Sequence, residues 1–129
     1  MKTILIIDDD LGFVFWLGRV LAHGGYEVLP AKGFSDASTL LSDLNAEVDL
    51  LIVNPSLPGA ANFVNALRRS RPNAKIVFAL DDDQPAGQIQ NADIIARKLL
   101  PEDAAAATLW LRVVEQALGR QGSADREGE

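Results

Sequence analysis

Apolar residues fall along this chain in two alternating styles, short unbroken runs and longer stretches of helical period. The runs at 2–7 and 48–53 each end in four consecutive leucine, isoleucine or valine residues, the pattern of strands buried on both faces of a parallel sheet. Residues 26–30, 75–80 and 93–96 read as three further strands. Between them, residues 11–23 carry Phe13, Trp16, Leu17, Val20 and Leu21 on one helical face, and Gly24-Gly25 supplies the left-handed stop. Ser35 is the expected cap of a second helix with Ala37, Leu40, Leu41 and Leu44 at i, i+3, i+4 and i+7. Residues 62–69 place Phe63, Ala66 and Leu67 at helical spacing before Pro72-Asn73 breaks the pattern. Pro85 and Gly87 leave room for only a turn or two of helix in 84–91. Pro101, followed by Glu102 and Asp103, opens a last helix that reaches about Leu118, and 119–129 is a small, polar tail expected to be disordered.

Five strands alternating with five helical stretches, joined by short connections, predict right-handed parallel crossovers. The expected architecture is an α/β, three-layer, doubly wound domain over 1–118. In such sheets ligands gather at the carboxyl edge, so polar residues there carry the chemistry. The central run ends in Asn54 and then Pro55-Ser56-Leu57-Pro58-Gly59, and the first run ends in Asp8-Asp9-Asp10. The fourth ends at Leu80 before Asp81-Asp82-Asp83, and the fifth is followed by Arg97-Lys98. Asp8, Asp9, Asn54, Leu80 and Lys98 are therefore expected around one shallow pocket. Two carboxylates and a lysine at the end of a central strand make a site for Mg²⁺ and a phosphoryl group. Three consecutive acids at 81–83 cannot all point one way and read as a solvated loop.

Composition narrows the class. At 129 residues the chain holds one ordinary domain, and with 48% apolar and 23% charged residues it has the balance of an ordered globular protein. The start lacks an export signal and no run is long enough to cross a bilayer, so a cytoplasmic location is expected. The absence of cysteine excludes disulfides, thiolate catalysis and Cys-ligated metals. A net charge of −6 without a basic stretch argues against nucleic acid as a partner.

The acidic cluster Ile6-Ile7-Asp8-Asp9-Asp10, the Leu57-Pro58-Gly59 turn and the approach Asn91-Ala92-Asp93 to Lys98 carry a family resemblance. Over residues 2 to about 118 the chain resembles the receiver domain of bacterial two-component response regulators. The resemblance implies a flavodoxin-like sheet in the order 2-1-3-4-5 and a role in phosphorelay signalling. It also implies that Asp8 and Asp9 would hold Mg²⁺ and that Lys98 is the pocket lysine. The phosphoacceptor position is Asn54, the position of the Ser/Thr that follows phosphate is Leu80, and the aromatic switch position is Ile95. Leu99 stands where a proline usually follows the lysine.

These departures have consequences. A carboxamide is a poor nucleophile and cannot form an acyl phosphate, and one carboxylate fewer weakens a site for a hard cation. The parts of a phosphate-driven switch are missing along with its trigger. The expectation is a non-enzymatic pseudo-receiver with no required cofactor, bound Mg²⁺ being weak. It acts by contact with a protein partner such as a histidine kinase, another signalling protein or a second copy. The first helix has a second apolar stripe, Leu11, Val14, Phe15, Gly18 and Ala22, whose expected role is that interface. The alternatives are a receiver with a non-standard acceptor, for which Ser56 is the nearest hydroxyl, and a small flavodoxin-like enzyme or binding domain. The last has no Gly-rich phosphate loop or catalytic triad behind it, and His23 stands alone near a helix end.

Overall fold

The structure is a computed structural model that describes residues 1–44, 47–81, 92–98 and 104–119. Five parallel strands, β1 (Thr3–Ile7), β2 (Glu27–Ala31), β3 (Leu50–Val53), β4 (Lys75–Leu80) and β5 (Ile94–Arg97), form one sheet in the order β2-β1-β3-β4-β5. The four described helices are α1 (Leu11–His23), α2 (Phe34–Leu44), α3 (Ala60–Ser70) and α4 (Ala104–Ala117). The helical stretch expected at 84–91 and the polar tail beyond 119 lie outside the described residues.

Strand alternation sorts the apolar runs into two cores. Ile4, Ile6, Leu50, Ile52, Val77 and Ala79 face Phe13, Leu17 and Leu21 of α1 and Trp110 and Val114 of α4. Leu5, Ile7, Leu51, Val53, Ile76, Phe78 and Leu80 face Ala37 of α2 and Val64 and Leu67 of α3. The three inner strands are buried on both faces apart from Lys75, which is why they show no polar alternation. The edge strands β2 and β5 are half-exposed, and the edge position of β2 lets it accommodate Pro30, which has no N–H to give a second neighbour.

Helix boundaries follow local chemistry. Asp10 caps α1, its side chain accepting from the Phe13 N–H at 3.2 Å, and Gly25 at φ 96° turns the chain out of the helix. The second helix begins one residue before the expected cap. Ser35 lies inside its first turn, and the Gly33 carbonyl accepts the Ala37 N–H. Gly59, at φ 88°, leads directly into α3, which starts at Ala60 where the sequence pattern suggested 62. Trp110 is fully buried and meets the Phe13 ring edge-on, with centroids 5.7 Å apart. No helix among the described residues is long and apolar enough to cross a membrane.

Val14 requires a correction. It is only 1% exposed and packs with Phe13, Leu17 and Leu21, so it belongs to the core and not to an outward stripe. Lying three residues before Leu17 and seven before Leu21, it shares their helical face. Gly18 sits against β2, where an added Cβ would meet Val28 at 3.6 Å. Leu11, Phe15 and Ala22 remain on the outside, with Phe15 59% exposed.

Candidate functional site at the carboxyl edge of the sheet

Parallel pairing brings the ends of β1, β3, β4 and β5 together, and a compact ion-pair cluster lies across them. Its centre is Lys98, one residue past β5, whose main-chain N–H bonds the Leu80 carbonyl at 2.8 Å and so carries on the β4–β5 ladder. The Lys98 Nζ lies 3.0 Å from Asp8 Oδ2, 2.9 Å from Asp81 Oδ1 and 3.6 Å from Asp10 Oδ2. It also stands 5.0 Å from the centroid of the Phe13 ring, an aromatic face that favours a cation. Three carboxylates thus surround one ammonium, a surplus of negative charge that Asp9, exposed beside them, increases.

The acids differ in duty. Asp8 is buried; its Oδ1 accepts the Asp10 N–H at 3.0 Å, while Oδ2 has the ammonium at ionic distance but no hydrogen bond aligned with it. Burial pushes the Asp8 carboxyl above the usual aspartate value, against the opposing pull of the Asp10 amide and Lys98. Asp81 behaves oppositely: its hydrogen bond from Lys98 holds it below the usual value despite some burial, with Asn54 helping. Burial alone would depress the Lys98 ammonium, but the carboxylates of Asp81 and Asp8 outweigh it and hold the lysine above its ordinary value.

Asn54 ends the central strand and is only 2% exposed. Its Oδ1 accepts from the Ser56 main-chain N–H at 2.9 Å and from the Ser56 hydroxyl at 2.7 Å, and its Nδ2 donates to Asp81 Oδ2 at 3.2 Å. The orientation is fixed by its neighbours: a main-chain N–H can only donate and an ionised carboxylate can only accept. The amide oxygen is therefore engaged by the turn after β3, and amide hydrogens face the acidic cluster.

Asp8 and Lys98 meet directly, and Asn54 joins them through Asp81, which the sequence pattern assigns to a solvated loop. The signal that could have found it is its place directly after an apolar run at the same edge as Asp8. Leu80 reaches the edge only through its main chain, because its fully buried side chain belongs to the α2–α3 core. Ile95 is 38% exposed on the outer strand, away from this cluster's contacts. Ser56 turns its hydroxyl onto Asn54, and Asp82 and Asp83 lie outside the described residues.

No protein-family model matches the chain, and no curated protein matches it by sequence. Solved structures do match. A response regulator from Thermotoga maritima superposes with a TM-score of 0.73 at 16% identity, covering 92% of this chain and 98% of that one. The fold is the receiver fold. The Vibrio cholerae chemotaxis protein CheY4 gives a TM-score of 0.74 at 21% identity, with 92% and 99% covered. NtrX from Brucella abortus gives 0.77 at 19% identity over 93% of this chain, which spans only 27% of that protein.

A receiver fold raises the question of Mg²⁺, and the donor set in this arrangement does not fit one. The ammonium takes up the inward oxygens of Asp8 and Asp81, and Asn54 offers hydrogens where a hard cation needs oxygen. Among the described residues no group of three or more acidic or imidazole side chains is placed to hold a metal ion directly.

Proposed function

We propose that this chain is a pseudo-receiver, a signalling module of the two-component type that takes no phosphate at residue 54, catalyses nothing and acts through protein contact. The observation that carries this reading is the buried Asn54 carboxamide with both of its polar atoms engaged, where the resemblance puts a nucleophilic carboxylate. An amide nitrogen is not a nucleophile, and the acid-rich surroundings repel an approaching phosphoanion. Incubation with a small acyl-phosphate donor and Mg²⁺ should leave the intact mass of the protein unchanged. Stoichiometric addition of phosphate at any residue would sink the reading.

The contact surface in this reading is the outer side of α1. Phe15 and Leu11, one turn apart, are 59% and 43% exposed, and Ala22 continues the strip toward the helix end. A second copy or a kinase-like helix could cover it. Light scattering over a concentration series tests the first case: Phe15→Glu should abolish any concentration-dependent rise in molar mass of the wild type. An oligomer that survives Phe15→Glu places self-association elsewhere.

A further inference from the structure

We infer that Asp81 is a built-in counter-ion that closes the carboxyl edge of the sheet, holding the ends of β3, β4 and β5 in one arrangement without any external anion. Its carboxylate bridges two other strand ends, with Oδ2 accepting from Asn54 after β3 and Oδ1 pairing with Lys98 after β5. Its main-chain carbonyl accepts from Arg97 Nη1 at 2.7 Å, so the residue is held by main chain and side chain together. Lys98 is in turn fixed from the other side by Asp8 at 3.0 Å and by the Phe13 ring. The result is a continuous tie from β1 through Lys98 and Asp81 to Asn54.

The tie acts at one edge of the sheet. Strand β5 has four residues, pairs only with β4 and is half-exposed, so it is held from one side only. Its last residue and the one after it are the two that grip Asp81. An added oxyanion would have to compete with Asp8, Asp10 and Asp81 for the Lys98 ammonium. The edge is self-liganded. This inference rests on the geometry of the edge and is independent of whether phosphate is accepted elsewhere.

The test is amide hydrogen exchange, read by NMR, in the full chain and in Asp81→Ala and Asp81→Asn. Loss of a charge-assisted hydrogen bond should speed exchange at Ile94 to Arg97 by about tenfold or more in Asp81→Ala, while amides of β1 and α1 keep their wild-type rates. The isosteric Asp81→Asn, which keeps its shape and can still accept from Asn54, should fall between the two. The Asn54 side-chain amide resonance should move in both variants. In the wild type, titration with inorganic phosphate should leave that resonance and those of Lys98 in place. Unchanged β5 protection in either folded variant, or a saturable response of the wild type to phosphate, would overturn the inference. Asp81 has a side chain 43% exposed at a strand end, so loss of the whole fold on substitution is not expected, and global unfolding of Asp81→Asn would also count against a local tie.

Discussion

Lys98→Met should lower the stability of the chain by about 3–5 kcal/mol at neutral pH, because it strands the buried Asp8 carboxylate without its cation. Both partners are desolvated, the lysine side chain being 10% and the aspartate 1% exposed, so solvent does little to screen the loss. A deficit of that size is a large share of what holds a domain of this length together. Its pH dependence is the sharper signature. Burial already places the Asp8 carboxyl above its unfolded value, and removing the ammonium takes away one of the influences that pull it back. A group whose folded pKa is raised weighs against folding when ionised and stops doing so once protonated. The deficit of Lys98→Met should therefore shrink as pH falls from neutral through the elevated Asp8 value. Urea unfolding followed by circular dichroism across that window checks it; a deficit that stays constant or grows toward acid would show that the ion pair is not what the lysine supplies.

Asn54→Asp, which places an acid at the end of β3, should cost about 2–3 kcal/mol at neutral pH and not stabilise the site. The wild-type amide donates to Asp81 at 3.2 Å; a carboxylate in its place faces another carboxylate at that distance and leaves the bond unmade. The hydrogen bonds from Ser56 would survive, since they need only an acceptor. The introduced group should titrate above the ordinary aspartate range, so its penalty fades in acid. Combining it with Asp81→Asn should recover most of the loss, and a double-mutant cycle measured by thermal unfolding reads that coupling. Simple additivity of the two changes would mean that residues 54 and 81 do not interact as described.

The layered sheet could be read in advance because strands β1, β3 and β4 carry apolar residues on both faces, which a strand can do only where helices shield it from water on each side. Asp8, Asn54 and Lys98 could be located for the same reason: each directly follows, or lies within one residue of, a strand end. Asp81 could not be separated from its two acidic neighbours, since a run of identical charges has no internal contrast until the backbone aims each residue. Val14 was lost for a related reason. A helix apolar nearly all round does not say which arc meets the sheet, and Val14 lies at the border between the two. The start of α2 is misplaced by a cap rule that a serine at 35 satisfies, because the carbonyl of Gly33 opens the helix without it.

The Asp10 side chain and the Asp8 carboxylate each accept a main-chain hydrogen in the turn that launches α1, in addition to facing Lys98. Both therefore have a structural duty that needs no metal: Asp10 caps the helix, and Asp8 holds the capping residue in place. An acidic motif at such an edge is thus not by itself evidence of metal chemistry, and what stands at the end of the central strand is the more telling residue.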